Sequence, residues 1–157
     1  DLNSAMQKSV NWYFQAIDSQ LGINRVQEFL NKIEYGNQTT SSNLDLYWSD
    51  FSLKISPLEQ VTLLKKFNTN EFHLNSQNVF SVKNAIKIAS TPNGNFYGKT
   101  GTGRVNGQDI NGWFIGYVET SDNSYYFATN IQSDSNATGK KAFEITSDIL
   151  KKLHIWN

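Results

Sequence analysis

Residues 94–103 read GNFYGKTGTG, and they are followed at 104–119 by RVNGQDINGWFIGYVE. The first stretch ends like a phosphate-binding loop, at Gly98-Lys99-Thr100. Such a loop needs four residues between its glycines, and Gly94 and Gly98 enclose only three. It must also open a helix, whose N-terminal amides hold the phosphates. Residues 104–119 are instead punctuated by glycine and asparagine and then rich in aromatic and β-branched residues, which is the signature of turn and strand. The nucleotide reading is therefore set aside. Lys99 needs a different role, and the fold around it is an antiparallel meander.

Outward from this stretch, Phe96 to Gly103, Gly112 to Glu119 and Tyr125 to Ile131 read as three strands, with turns at VNGQDING and SDNS. Upstream the period is helical. Leu2 to Leu21 reads as one amphipathic helix with Val10, Phe14, Ile17 and Leu21 on its apolar face, ended by Gly22. A second, Asn24 to Ile33, carries Val26, Phe29, Leu30 and Ile33. Residues 35–45 form a polar loop. A third helix begins at Ser56-Pro57, with Glu59 placed for a capping box, and its stripe is Val61, Leu64 and Phe67 beside Leu63. A fourth, Ser76 to Ala89, uses Val79, Val82 and Ile86. Ala137 to Leu153 closes the chain as a helix with Ala142, Ile145, Ile149 and Leu153 inward. Helices, a meander, then a helix make an α+β fold.

The composition narrows the chemistry. The 157 residues suffice for one domain with a core. Fourteen basic residues balance fourteen acidic ones, so no net field favours nucleic acid or an anionic membrane. With no cysteine, thiolate nucleophiles, thiolate metal sites and disulfides are excluded. His73 and His154 are far apart in sequence and lack metal-site spacing, so each reads as an ordinary surface or helix-end histidine. No metal and no cofactor are expected. No apolar run approaches the ~18 residues of a membrane span. The polar, periodic opening DLNSAMQKSV is no signal peptide. The chain is then either cytosolic or a piece whose targeting segment lies elsewhere.

Four fragments stand out: Ser9-Val10-Asn11, Tyr35-Gly36-Asn37, Trp48 ahead of SLKIS (52–56), and Lys99-Thr100-Gly101-Thr102 leading into NGWFIGYVE. Each alone is a common tripeptide or turn. In this order they resemble the penicillin-recognising serine acyl-transferases, which include penicillin-binding proteins, serine β-lactamases and β-lactam sensors. The YGN, the tryptophan before SLKIS and the GWF-G-YVE strand are similar to class D β-lactamases and to the related sensor domains of BlaR/MecR transducers. SVNWYF and KTGTG followed by VNG and NGWFIGYVET look more like the sensors. The resemblance runs along essentially the whole chain. It implies a serine β-lactamase or penicillin-binding transpeptidase-like fold, with an antiparallel sheet flanked by helices.

The family nucleophile is a serine in Ser-x-x-Lys, and no serine here has lysine three residues on. The chain also supplies three strands where the family sheet has five. Residues 1–157 are therefore expected to be the C-terminal part of a single penicillin-binding sensor domain, with the nucleophile and the first two strands before Asp1.

Roles can be assigned from the chemistry of a β-lactam, whose carbonyl is attacked while its nitrogen leaves with a proton. The attacking serine needs a base, and the lysine of the missing motif is the candidate. The Ser9 hydroxyl donates and accepts at once, which suits a relay toward that nitrogen. Lys99 is a cation that favours an alkoxide-like relay and attracts the antibiotic's carboxylate. Gly101 lets ligand backbone approach the strand edge. The resemblance implies that the Thr102 amide completes the oxyanion hole. The Thr100 and Thr102 hydroxyls are candidates for the carboxylate, and Arg104 is a weaker one, equally an exposed hairpin arginine. In class D enzymes the tryptophan matching Trp48 donates to a carbamylated lysine, although Trp48 reads equally as a half-buried loop residue. Tyr35, Gly36 and Asn37 are expected to support the loop rather than touch reactants.

Sensor and hydrolase differ in whether water removes the acyl group. In class D enzymes the third residue of the SxV motif is apolar and keeps the nucleophile's lysine in a dry pocket where its carbamate survives. Here that residue is Asn11, whose amide makes the pocket more polar. Losing the carbamate base slows deacylation ~10³-fold for only ~4 kcal/mol of barrier. The expected function is thus an extracytoplasmic β-lactam sensor at the cell membrane, covalently acylated, with little turnover. The resemblance implies an upstream transmembrane and zinc-protease module as partner, and no nucleic acid. The alternative is a class D β-lactamase.

Overall fold

The computed structural model describes residues 1–40, 47–49 and 51–156. Of the polar loop expected over 35–45, residues 41–45 lie outside that description. The chain forms two compact units, Asp1–Ala85 and Ile86–Asn157. Among the described residues no helix is long and apolar enough to cross a membrane.

The first unit is helical: α1 Leu2–Gln7, α2 Asn11–Leu21, α3 Ile23–Lys32, α4 Pro57–Asn68 and α5 Ser76–Ala85. The capping box forms as expected at α4. Glu59 N donates to Ser56 Oγ, and Ser56 N donates back to Glu59 Oε2. The single helix expected over Leu2 to Leu21 is instead two helices. Ser9 takes a left-handed φ of 51°, its N–H donates to Met6 O, and Val10 N–H donates to Ala5 O. That bond pair is a Schellman ending, normally built on glycine or asparagine, so nothing in Lys8-Ser9-Val10 announced it. The stripe expected on this segment fails with it. α2 buries no residue, and Ile17 and Leu21 are exposed. In α3, Val26 and Leu30 are buried while Phe29 is exposed. α4 buries Leu64 and, one turn before it, Gln60.

The second unit holds a four-stranded antiparallel sheet in sequential order, β1 Lys87–Thr91, β2 Gly94–Val105, β3 Gln108–Thr120 and β4 Ser124–Gln132, followed by α6 Gly139–Lys152. β1 corrects the sequence reading, which ran the fourth helix on to Ala89. The helix stops at Ala85, Ile86 is a turn residue, and Ile88 and Ala89 lie on β1. β1 is mostly exposed on both faces and pairs only with Gly94 to Tyr97, so it carries no period-two signal of its own. The second correction is the hairpin. VNGQDING is not a long turn, because only Asn106 and Gly107 turn, both at positive φ. A two-residue turn of that kind matches the twist of the strands it joins.

Phe96, Phe114 and Val118 on one sheet face pack with Ala142 and Leu150 of α6, surrounded by Phe127, Ile131, Phe143, Ile155 and Trp156. The ring of Phe114 lies 5.0 Å from those of both Phe127 and Phe143. On the opposite face Tyr97, Tyr117 and Tyr126 form a row, with centroids 4.6 Å and 5.7 Å apart. Ala142 is inward on α6 as expected, but from there on the inward face is rotated by one residue. Ala142, Thr146 and Leu150 are buried, whereas Ile145, Ile149 and Leu153 are exposed. Thr146 explains why a polar stripe can face the sheet. Its hydroxyl is within 2.8 Å of Ala142 O and 2.7 Å of Thr129 Oγ1, so burial leaves it satisfied.

Candidate functional site

In the first unit, Ser9 and Asn11 sit at the corner between α1 and α2. Ser9 is the left-handed residue that ends α1, and Asn11 is the first residue of α2; both are exposed. A non-glycine residue in this conformation costs about 1 kcal/mol. The main-chain bonds at Met6 and Ala5 hold it there, so the serine hydroxyl is displayed at a helix junction rather than along a helix face.

Tyr35, Gly36 and Asn37 form a clamp. Asn37 Nδ2 donates to Ser52 O at 2.8 Å, Lys54 N donates to Asn37 Oδ1 at 2.9 Å, and Asn37 N donates to Lys54 O at 2.9 Å. Gly36 has a φ of 49°, and a Cβ there would stand 1.8 Å from Lys54 O, so only glycine fits. Tyr35 is part of the packing around Val26, Leu30 and Tyr47, and Trp48 and Leu53 belong to the same cluster. Its hydroxyl donates to Gln60 Oε1 at 3.4 Å, and burial pushes its pKa up, so it stays a neutral phenol. Sequence reasoning missed Gln60, because a buried glutamine in an otherwise apolar stripe has no pattern. Trp48 is thus half-buried in the cluster that the YGN loop braces.

In the second unit, Lys99, Thr100, Gly101 and Thr102 lie on β2. The β1 pairing ends at Tyr97, and Gly98 N–H donates to Ile86 O. Backbone groups alternate sides along a strand, so the N–H and C=O of Thr100 and Thr102 point to the same edge as those of Gly98. Beyond Gly98 no strand pairs with that edge among the described residues. β2 therefore offers a short open edge at the KTGT stretch, suited to an added extended ligand. Lys99 Nζ donates to Thr100 O at 2.7 Å on this edge. Burial lowers the Lys99 pKa, since a half-buried ammonium loses hydration.

The side chains of Thr100 and Thr102 point to the α6 face. Thr102 Oγ1 accepts from Gly139 N at 2.9 Å, so one lone pair of a hydroxyl expected to meet ligand is spent on holding α6. Gly139 has no signal in the sequence. A Cβ there would stand 2.6 Å from Gly101 O and 2.9 Å from Thr100 Cβ. The first turn of α6 is thereby pressed onto the KTG backbone. Arg104 is paired rather than poised: its Nε donates to Asp109 Oδ1 at 2.7 Å.

The family model described as "Penicillin binding protein transpeptidase domain" matches residues 1–151. The chain belongs to this family. Within the transpeptidase-domain family it is 44% identical over 155 residues to the methicillin resistance mecR1 protein of Staphylococcus aureus, covering 99% of this chain and 26% of that protein. It therefore spans about a quarter of the length of that relative. The structure is similar to the C-terminal domain of the Bacillus licheniformis BlaR penicillin-receptor, with a TM-score of 0.95 and 46% identity, covering 100% of this chain and 63% of that one. It is also similar to a class D β-lactamase from Bacillus subtilis, with a TM-score of 0.90 and 37% identity, covering 99% of this chain and 63% of that one. The transpeptidase-like α+β fold expected from the sequence is thus the observed one.

Proposed function

We propose that residues 1–157 are the C-terminal part of a β-lactam sensor domain of the BlaR/MecR type. A serine outside this chain would be acylated by the antibiotic, and the acyl group would persist as the signal. The observation that carries this reading is the similarity, over the whole of this chain, to the BlaR penicillin-receptor domain. Identity to the class D enzyme is lower over the same span.

In the reaction the serine oxygen bonds to the lactam carbonyl carbon, the carbon–nitrogen bond breaks, and the serine proton ends on the departing nitrogen. Ser9 is the relay for that proton, a role suited to a hydroxyl fixed at a helix corner. Lys99 supplies the cation for the carboxylate, and its lowered pKa fits a site where water is partly excluded. The outward Thr102 amide is the oxyanion donor, and Gly101 leaves the strand flat for the ligand. Asn11 keeps the nucleophile's lysine in a polar setting, so no carbamate forms to drive water onto the ester. Trp48, braced by Tyr35, Gly36 and Asn37, is the ligand-binding residue on the helical unit. The remaining sheet strands, together with a transmembrane and zinc-protease module, lie elsewhere in the protein, and the domain faces the extracellular side of the cell membrane. The second reading, a class D β-lactamase, is favoured by the 0.90 TM-score with that enzyme.

Intact mass spectrometry of the complete domain with benzylpenicillin tests the proposal. One antibiotic mass added per protein and stable for hours is expected. No adduct, or one that disappears within seconds, contradicts it.

A further inference from the structure

The strand register puts Trp113 one strand in from the open edge of β2. Lys99 pairs with Ile115, Gly101 with Trp113 and Gly103 with Asn111, so these side chains share one face of the sheet. On β4 the same rows continue with Ala128, Asn130 and Gln132. Two of the three β2 positions on this face carry no side chain. A Cβ on Gly101 would meet only Trp113 Cβ, at 3.7 Å. The face therefore has an open floor over Gly101, between the open edge and Trp113. On the β4 side of Trp113, Asn130 Nδ2 donates to Asn111 Oδ1 at 2.6 Å, and Gln132 Nε2 donates to Asn130 Oδ1 at 3.0 Å. Trp113, half-buried, is the apolar residue between that linked row of amides and Gly101.

A penicillin carries its carboxylate at one end of the fused rings and its acylamino side chain at the other. With the carboxylate at Lys99, the other end lies farther along β2, past Thr102 and toward Gly103. The regular run of β2 ends there, at the irregularity between Gly103 and Arg104. We infer that the acylamino side chain turns over the glycine floor and stacks its aryl group on Trp113, so that Trp113 selects aryl-bearing β-lactams. This subsite rests on the functional reading above. Aromatic rings prefer offset or edge-to-face contact with a neighbour, and such pairs add specificity beyond the area they bury.

The test compares second-order acylation rates of the complete domain with benzylpenicillin and with 6-aminopenicillanic acid, which has the same rings and carboxylate but no acyl group. In Trp113→Ala the ratio of the two rates is expected to fall about tenfold. Trp113→Phe, which keeps a ring and the packing, is expected to keep most of the ratio. An unchanged ratio in Trp113→Ala, or a Trp113→Phe ratio as low as that of Trp113→Ala, overturns the subsite while leaving the sensor reading intact. Failure of the unsubstituted domain to form an adduct with either compound overturns the sensor reading, and the subsite with it.

Discussion

The Ser9 corner and the KTG strand reach their conformations by different means. Lys99 to Thr102 are held on one side by the register with β3, and on the α6 side by Gly139 and its bond to Thr102. Several independent contacts fix the same backbone, so no single residue carries it. At Ser9 two main-chain bonds close α1 around a side chain in a backbone region that favours glycine. The strand is thus a platform held from two sides, and the corner is built on a left-handed serine.

The largest effect is expected at the platform's charge. In the complete domain Lys99→Ala should slow acylation by benzylpenicillin ~10²-fold or more, about 2.7 kcal/mol of barrier. Lys99→Arg should also be poor, because a broad guanidinium does not replace a compact ammonium in a packed site. Stopped-flow acylation measures both, and rates equal to the parent would reduce KTG to plain strand.

Gly139→Ala comes next. The added Cβ meets the β2 backbone and the Thr100 side chain, so overpacking is expected to cost about 2 kcal/mol in a urea titration, with an unchanged m-value. A neutral result would mean that α6 is not pressed onto the strand.

At the corner, stability and function should move in opposite directions. Ser9→Gly relieves the left-handed strain and is expected to stabilise the domain by up to about 1 kcal/mol, while the loss of the hydroxyl lowers the acylation rate. If Ser9→Gly loses both, the corner is not strained in the sense described.

The smallest effect is a shift in pH dependence. Burial disfavours the Lys99 ammonium, so its pKa is lowered and its charge disappears at a lower pH than for an exposed lysine. Acylation should therefore decline on the alkaline side below the ordinary lysine range. A decline only at the ordinary value would place Lys99 in bulk-like solvent.

The same contrast between the strand and the corner explains what was legible in the sequence. The KTG strand and its neighbours were legible because alternation, glycine and aromatic residues repeat over three long strands. The capping box of Ser56 and Glu59 was legible because it is local chemistry. The break at Ser9 was not, because a Schellman ending on serine is a backbone event with no side-chain signature. β1 was missed because its pairing with Gly94 to Tyr97, and not its own pattern, makes it a strand. The face of α6 was misjudged by one residue. Ala142 faces the sheet as expected, but hydrophobicity alone favours Ile145 and Ile149 beside it, whereas the sheet accepts Thr146, whose hydroxyl is satisfied by Thr129 and Ala142 O. Of the site, residue types were readable, but the spent lone pair of Thr102 and the role of Gly139 required the packing.

The central claim is that the chain belongs to a sensor that is acylated once and not to a hydrolase. Mixing the complete domain with a chromogenic cephalosporin tests it most directly. A single burst of colour, equal in amount to the protein and followed by a flat baseline, is the predicted result. Sustained colour development in proportion to time would contradict it and identify a β-lactamase.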